Sequence, residues 1–294
     1  MKTKKIMIGY LILLIIIALP LTIYGGIKFK KLTTISTDTP SASSDASKEN
    51  SNGTETPTTA ETPAAADRFA GKNLVIPAGI PVLCYHAFGD DSQVTYISEK
   101  KFREQMQYLK DNSYFTLTLD EFNDFILNKK PIPEHSVLIT IDDGYMNNYQ
   151  IAYPILKELG LNATIFIITN GINDGYYMSA DQLVDMSKNG ISFGSHTTNH
   201  QQLDKLTYEE QLKIMQDSKT ALENILGTKI TAFCYPFGKF NENSKKAAKE
   251  SGYSTAFNIN GGFADLNDNP LNIDRQVVLG NYDINKFISL FNVK

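Results

Sequence analysis

The stretch Ser136-Val-Leu-Ile-Thr-Ile-Asp-Asp-Gly144 is the part of the sequence from which the fold is most directly predicted. Its first six residues are mostly apolar and do not alternate with charged ones. Such a run is typical of a strand that is buried on both faces of a sheet. The acidic pair Asp142-Asp143 follows the run at once. We therefore expect a parallel α/β sheet, because functional groups in that architecture collect at the carboxyl ends of strands.

Similar apolar runs recur along the chain and alternate with stretches of helical spacing. The runs cover residues 80–85, 163–168, 191–195 and 230–235, and a last strand is predicted over 272–278. A helix is predicted over 149–159, which Gly160 ends. Among the helical stretches, Thr207-Tyr-Glu-Glu210 is typical of a capping box that opens a long helix, which Gly227 ends. The alternation indicates a sheet covered on both faces. About seven such units favour a closed or distorted β/α barrel over an open sheet, although periodicity alone does not decide between the two.

The chain divides into three segments of different composition. Residues 1–31 contain an uncharged run at 6–27, which is about the length that crosses a bilayer as a helix. This run predicts a signal-anchor transmembrane segment, with a cleaved signal peptide as the alternative. Residues 32–67 are rich in Ser, Thr, Pro and Ala and predict a disordered linker. Residues 68–294 would then form a globular domain outside the cell membrane, or a secreted domain if the first segment is removed.

Composition excludes some classes of function. The 294 residues carry a formal net charge of -4, which argues against a nucleic-acid binder that relies on bulk positive charge. Two cysteines are too few for a disulfide scaffold or a four-cysteine zinc module. Cys84 and Cys234 each lie near the end of a predicted strand. In an exported protein they could pair, and two separate buried thiols are the alternative.

Polar residues cluster after the predicted strands. His86, Asp142, Asp143, His196 and the segment Pro236-Phe-Gly238 all occupy such positions. The carboxyl ends of parallel strands meet at one edge of the sheet, so these side chains are expected to converge. Two adjacent buried carboxylates need a cation to stay ionised. A solvated turn is the alternative, because Asp-Asp-Gly is also good turn chemistry.

A pair of histidines provides candidate metal ligands. His196 and His200 are spaced i, i+4, which allows both imidazoles to share one ion, whereas two unrelated polar histidines are the alternative. One carboxylate with two imidazoles leaves coordination positions open, as in catalytic rather than structural zinc sites. Such ligands suit Zn²⁺ and also Co²⁺, Mn²⁺ or Fe²⁺.

Three motifs together resemble the polysaccharide deacetylase family, also described as the NodB-homology domain or carbohydrate esterase family four. Thr140-Ile-Asp-Asp-Gly144 is similar to its T-F-D-D-G motif, with Ile141 in place of the usual Phe. His196-Thr-Thr-Asn-His200 is similar to H-[ST]-x-x-H, and Pro236-Phe-Gly238 to the core of R-x-P-[YF]-G. The resemblance covers residues 80–278 and implies a distorted (β/α)7 barrel.

The resemblance also implies a chemistry and a role for each motif residue. The activity would be metal-dependent hydrolysis of N-acetyl groups on a polysaccharide. Asp143, His196 and His200 would bind the metal, with Zn²⁺ favoured. Asp142 would be the general base, and the backbone N–H of Phe237 would help to hold the oxyanion.

Two departures from the family pattern affect this interpretation. The arginine position of the third motif is Cys234, and Arg275 is the candidate replacement, with a surface strand residue as the alternative. The last family motif, L-x-H, supplies the catalytic acid, but no histidine follows Asp265. Leu83-Cys-Tyr-His86 lies upstream instead. This order resembles the circularly permuted branch that deacetylates poly-β-1,6-N-acetylglucosamine, and it implies His86 as the acid. A structural or substrate-contact histidine is the alternative.

Several aromatic residues near the predicted strand ends are candidates for contact with a substrate. Tyr85, Tyr145 and Pro236 are expected to contact the polysaccharide. Other aromatic residues that could offer flat faces to sugar rings are Tyr176, Tyr177, Phe237 and Tyr253. Core packing is the alternative for each aromatic residue. Peptidoglycan is the alternative substrate, and a non-catalytic carbohydrate-binding surface protein is the alternative function. No charged run or heptad pattern suggests a stable protein partner, so a monomer is expected.

Overall fold

A curled sheet of parallel strands organises residues 68–292, which are the residues that this computed structural model describes. The strands are β1 (Leu74–Val75), β2 (Gly79–Tyr85), β3 (Ala87–Phe88), β4 (Tyr96–Ile97), β5 (Phe115–Thr116), β6 (Ile132–Pro133), β7 (Ser136–Ile141), β8 (Ala163–Ile167), β9 (Ile191–Ser195), β10 (Ala232–Cys234), β11 (Thr255–Phe257), β12 (Phe263–Asp265) and β13 (Gln276–Val277). The helices are α1 (Glu99–Asp111), α2 (Leu119–Asn128), α3 (Tyr153–Leu159), α4 (Ala180–Ser187), α5 (Tyr208–Leu226), α6 (Glu242–Glu250) and α7 (Ile284–Ser289).

The order of the strands brings the two ends of the domain together. Strands β11, β10, β9, β8, β7 and β2 lie side by side and are all parallel. On the outer side of β2, β13 pairs in parallel and β12 pairs antiparallel. Ile273, just before β13, forms a parallel bridge with Phe257 of β11. The segment before β13 therefore links β11 back towards β2.

The α/β class is confirmed, and the curled parallel sheet is consistent with the predicted distorted (β/α)7 barrel. The seventh barrel strand is represented only by β13, which is two residues long, although a strand was predicted over 272–278. The transmembrane segment predicted at 1–31 and the linker predicted at 32–67 lie outside the described residues. Among residues 68–292, no helix is both long enough and apolar enough to span a membrane.

The central strand β7 is buried at all six positions, as its apolar sequence predicts. Side chains of consecutive strand residues point to opposite faces. Ile139 and Ile141 accordingly join the larger core cluster, to which helices α1 and α3–α7 contribute. Leu138 joins the second cluster, to which α2 contributes. Thr140 is on the same face as Leu138, and this alternation directs the next even-numbered side chain, Asp142, into the interior of the curled sheet.

Helix boundaries follow the capping signals in the sequence. Thr207 and Glu210 form the predicted capping box of α5, and Gly227 ends that helix in a left-handed conformation. Ser179 caps α4 in the same way. The helix predicted from residue 149 begins instead as a π-helical turn at Asn148–Ala152 before it continues as α3.

The close contact between β8 and β9 provides a test of the packing. A Cβ atom on Gly194 would lie 2.5 Å from ring carbons of Phe166 and 3.0 Å from the backbone oxygen of Ala232. Gly194→Ala is therefore expected to lower the free energy of unfolding by about 1–3 kcal/mol, the usual cost of overpacking a core. Urea unfolding measures this change. The exposed Ser254→Ala is the control, and equal stability of the two variants would contradict the close packing.

Candidate active site

One cavity of about 280 Å³ lies at the carboxyl ends of the parallel strands. It collects most of the residues that the sequence predicts to be functional, namely His86, Asp142, Asp143, Tyr145, His196, His200 and Phe237. Each comes from a segment that directly follows β2, β7, β9 or β10. The sheet therefore brings side chains that are dispersed over about 150 residues of sequence into one site.

Asp142 is held by a buried arginine. The carboxylate accepts two hydrogen bonds from Arg275, from Nη1 to Oδ1 and from Nη2 to Oδ2, each 2.7 Å long. Arg275 is completely buried, so the alternative of a surface strand residue is wrong. Burial alone would raise the pKa of Asp142, but the charge and hydrogen bonds of Arg275 lower it well below the usual carboxyl range. Asp142 is therefore ionised at neutral pH.

Arg275 also joins the ends of several strands. Its Nε donates to the backbone oxygen of Asn258, which follows β11, at 2.9 Å. Its Nη1 donates to the hydroxyl of Thr140 in β7 at 3.0 Å. Its Nη2 lies 3.0 Å from Sγ of Cys234, the last residue of β10. The guanidinium thus fills its donor positions with groups from three strand ends and from Asp142, which accounts for a charged side chain deep in the domain.

The two cysteines contact the same carboxylate. Sγ of Cys84 and Sγ of Cys234 lie 3.6 and 3.4 Å from Oδ2 of Asp142, respectively. Both are free, so the pairing considered from the sequence is not found. Burial raises the pKa of both thiols well above the ordinary value. They consequently remain protonated and can donate weak S–H hydrogen bonds to the ionised carboxylate.

Asp143 turns away from its neighbour to meet the two histidines. Its backbone has a left-handed φ of 75°, which breaks the strand alternation and lets consecutive carboxylates face the same cavity. Oδ1 of Asp143 lies 3.4 Å from Nε2 of His196 and 3.4 Å from Nε2 of His200. Oδ1 is buried and has no hydrogen-bond partner among the described residues. A buried carboxylate oxygen without a partner is costly unless a cation is present.

The three side chains fit a divalent cation. The ligand atoms of Asp143, His196 and His200 lie within 4.8 Å of one another. Nδ1 of His196 lies 2.8 Å from the backbone oxygen of Cys234, so Nδ1 carries the proton and Nε2 offers its lone pair. Burial is the main cause that lowers the pKa of His200 to about 4, which leaves that imidazole neutral at neutral pH. Burial opposes the ionisation of His196 as well, but Asp143 and Asp142 outweigh it and raise the pKa of that imidazole, so a cation bound there would replace a proton on Nε2. One carboxylate and two neutral imidazoles are suitable ligands for Zn²⁺ and similar ions.

His86 lies beside the Asp142 carboxylate. Its Nε2 is 3.9 Å from Oδ2 of Asp142, and its side chain is 22% exposed. Its backbone oxygen accepts a hydrogen bond of 2.8 Å from the side-chain Nδ2 of Asn148. Nδ1 of His86 is buried without a hydrogen-bond partner in the described part of the chain. The imidazole is thus placed where it can reach a group in the cavity, and its role as acid remains a prediction.

Two predicted substrate contacts are wrong. Tyr85 is fully buried, and its hydroxyl donates to Oε1 of Gln105 on α1 at 2.9 Å. The strand alternation that directs Cys84 to the carboxylate directs Tyr85 into the opposite core. Pro236 is buried and does not line the cavity, whereas the next residue, Phe237, is exposed at its mouth.

Other residues that line the cavity were not predicted from the sequence. They are Gln93, Thr95, Tyr96, Tyr235 and Ile259. The first three come from the segment around the two-residue strand β4, which is too short to show a periodic pattern. Tyr176, one of the candidate aromatic faces, also lines the cavity, but Tyr177 does not and Tyr253 is buried in the core.

Comparison with known proteins agrees with these motifs. The family model described as "Polysaccharide deacetylase" matches residues 129–256. The chain is 40% identical over 177 residues to "Putative polysaccharide deacetylase YxkH" of Bacillus subtilis (strain 168), covering 60% of this chain and 63% of that protein. The crystal structure of the "putative polysaccharide deacetylase BA0330" from Bacillus anthracis has a TM-score of 0.66 and 30% identity, and the match covers 73% of this chain and 69% of that one.

The chain belongs to the polysaccharide deacetylase family.

A second relative carries a more specific name. The chain is 30% identical over 177 residues to the poly-beta-1,6-N-acetyl-D-glucosamine N-deacetylase of Staphylococcus epidermidis (strain ATCC 35984), covering 55% of this chain and 61% of that protein. The chain therefore spans just over three fifths of the length of each of the two polysaccharide deacetylase relatives.

The buried pair of this polysaccharide deacetylase family member gives a stability prediction. Arg275→Met leaves the Asp142 carboxylate buried without its partner and is expected to lower the free energy of unfolding by about 3–5 kcal/mol near pH 7. The pair lowers the pKa of Asp142. The contribution of the Asp142–Arg275 pair to the free energy of unfolding is therefore complete above the ordinary aspartate pKa of about 3.9 and is lost as the pH falls below that value.

Urea unfolding at several pH values measures this effect. The difference in free energy of unfolding between Arg275→Met and the wild type should become smaller at acidic pH. The matched control is Arg103→Met, which removes an exposed pair with Glu158 and should cost no more than about 1 kcal/mol. Adding Asp142→Asn to Arg275→Met should restore part of the stability. A loss that is independent of pH would contradict the charge-based explanation.

The metal ligands of this family member are tested by binding rather than by activity. His200→Ala removes a partly exposed ligand and is expected to weaken Zn²⁺ binding by more than about 100-fold, since even the loss of an outer-shell partner costs 10–100-fold. Isothermal titration with Zn²⁺ gives the dissociation constant. His135→Ala, at an exposed turn outside the cavity, is the matched control. Equal affinities of the two variants would exclude His200 as a ligand.

Proposed function

We propose that this chain is a metal-dependent hydrolase that removes N-acetyl groups from an extracellular N-acetylglucosamine polymer and yields free amine and acetate. One observation carries the proposal. The ionised carboxylate of Asp142 is held by Arg275 and directly precedes Asp143 in the sequence. Oδ1 of Asp143 lies close to Nε2 of both His196 and His200. A binding module has no use for a general base next to a cation site, whereas amide hydrolysis needs both.

Each of the chain's own residues has a place in this reaction. The cation held by Asp143, His196 and His200 would supply Lewis acidity towards the acetyl carbonyl and a water molecule. Asp142 accepts the proton of that water as it attacks the carbonyl carbon. Arg275 keeps Asp142 ionised and fixes its orientation through the two hydrogen bonds.

The remaining roles concern the developing charge and the leaving group. The backbone N–H of Phe237 helps to hold the oxyanion, which is usually the largest electrostatic contribution in acyl transfer. Phe237 has a left-handed φ of 57°, and its ring lies 4.3 Å from that of His200. His86 donates a proton to the departing amine. Asp142 must be ionised while His86 is protonated, so activity should follow a bell-shaped pH profile.

Poly-β-1,6-N-acetylglucosamine is the polymer that we favour. The staphylococcal relative that is 30% identical carries this substrate in its name. The position of His86 before β7, rather than after β11, is the permuted motif order that resembles the same branch. The uncharged run at 6–27 and the linker at 32–67 support a domain tethered to the outside of the cell membrane, where such a polymer is found.

The direct test is amine release from a defined β-1,6-linked N-acetylglucosamine oligomer by the full-length chain with added Zn²⁺ or Co²⁺. Asp142→Asn should lower kcat by at least about 100-fold, the usual contribution of a general base. A chelator should abolish release, and His135→Ala should retain it. Release that survives Asp142→Asn would contradict the mechanism. Release only from peptidoglycan or β-1,4-linked oligomers would contradict the choice of polymer but not the chemistry.

A further inference from the structure

Asn148 is a buried amide that binds the backbone of the residue proposed as the acid. Its Nδ2 donates a hydrogen bond of 2.8 Å to the backbone oxygen of His86, which lies 62 residues earlier in the chain. Asn148 is completely buried, and it does not line the active-site cavity. Asn148 therefore cannot contact a substrate in that cavity, and the reaction described above gives it no role.

Stability alone does not account for this buried side chain. Oδ1 of Asn148 is buried and has no hydrogen-bond partner among residues 68–292. A buried acceptor without a partner usually costs about 1–3 kcal/mol. Nδ2, in contrast, has the backbone oxygen of His86 and, at 3.2 Å, Oδ1 of Asn147 as acceptors. The contact of Nδ2 with His86 is therefore the feature of this side chain that needs an explanation.

Asn148 begins the π-helical turn that precedes α3. In this turn, the N–H of Tyr153 donates to the backbone oxygen of Asn148, five residues earlier. The N–H of Asn148 donates to the oxygen of Tyr145 at 2.9 Å, so the turn starts directly from the loop that carries Asp142 and Asp143. Such π-helical turns are frequent at functional sites. The turn here connects the loop of the two carboxylates to the carboxyl end of β2.

The imidazole of His86 depends on its backbone for its position. Nδ1 is buried without a hydrogen-bond partner in the described part of the chain, and Nε2 lies 3.9 Å from Oδ2 of Asp142, beyond hydrogen-bond distance. His86 is the single residue between β2 and β3. Asn148 binds the oxygen of this residue, so a shift of that peptide would move the imidazole relative to Asp142.

We infer that Asn148 is a positioning residue, which holds His86 where its imidazole can protonate the departing amine. The inference rests on the proposed function, in which His86 is the acid. One short segment then carries the base Asp142, the ligand Asp143 and the residue that fixes the acid. A displacement of about 1 Å in a reacting group can cost about 100-fold in rate, so a single hydrogen bond to the His86 peptide matters for proton transfer.

The test compares two acetyl substrates that differ in their need for an acid. An amine must be protonated to leave, whereas 4-nitrophenolate is stable as an anion and leaves without a proton. We measure kcat for the full-length chain with Zn²⁺ on 4-nitrophenyl acetate and on the β-1,6- or β-1,4-linked N-acetylglucosamine tetramer that the wild type hydrolyses. Asn148→Ala should lower kcat for amine release by at least about tenfold, which is part of the 100- to 10,000-fold that a general acid contributes. The loss of ester hydrolysis should be much smaller, and KM for the tetramer should change little.

A double-mutant cycle shows whether Asn148 acts through His86. In the His86→Ala background, Asn148→Ala should cause almost no further loss of amine release, because residues that act as a unit are not additive. The matched control is Asn123→Ala. Asn123 is also a buried asparagine, but its amide binds the hydroxyls of Thr231 and Thr255, at the amino ends of β10 and β11. Any loss in this control should be equal for the amide and the ester.

Thermal unfolding checks that each variant is folded, and Asn148→Leu, which has a similar shape, replaces Asn148→Ala if the smaller side chain prevents folding. Equal losses for amide and ester, a weaker affinity for Zn²⁺ in isothermal titration, or a full further loss in the His86→Ala background would overturn the positioning role while the proposed function stands. If the wild type hydrolyses the ester but releases no amine from either tetramer, the proposed function fails and the inference fails with it.

Discussion

The paired charges of Asp142 and Arg275 are the interaction on which the rest of the site depends. Both are buried, and the two hydrogen bonds between them are 2.7 Å long. A buried pair of this kind contributes little net stability, but the loss of one partner is expensive. The pair instead fixes the geometry of the site, because the same guanidinium also binds groups at the ends of β7, β10 and β11. One side chain therefore joins groups near the ends of three strands and keeps Asp142 ionised.

The neighbouring carboxylates obtain different chemical roles from different partners. Asp142 continues the strand alternation and meets a permanent cation, whereas Asp143 adopts a left-handed backbone and meets two imidazoles. Arginine cannot lose its proton, so Asp142 stays ionised and free to accept one. The imidazoles of His196 and His200 can be neutral. Oδ1 of Asp143 and the Nε2 lone pairs of the two histidines are then available to a metal ion. The environments of these two adjacent and identical residues thus suit one to accept a proton and the other to bind a cation.

Much of the site could be predicted because strand ends are visible in the sequence. The apolar run of β7 predicts the position of Asp142 and Asp143. Arg275 is predicted only through the family resemblance, because Cys234 occupies the arginine position of the third motif. Tyr85 was misassigned because the last residue of a strand obeys the same alternation as the others, which sends it into the core. Tyr96 was missed because β4 is two residues long and depends on tertiary contacts rather than on its own pattern. The two-residue β13 was likewise predicted as a longer strand.

The pairing of β13 with β2 has a consequence for the synthesis of the chain. Arg275 and Asp142 are 133 residues apart in sequence, and His86 lies further still from Arg275. Contacts of such long range form late, and a growing chain folds from its amino-terminal end. While the ribosome still holds the residues after β12, Asp142 lacks the arginine that keeps it charged. A nascent chain that has folded only as far as β12 therefore carries Asp142, Asp143, His196 and His200 without the guanidinium that holds Asp142.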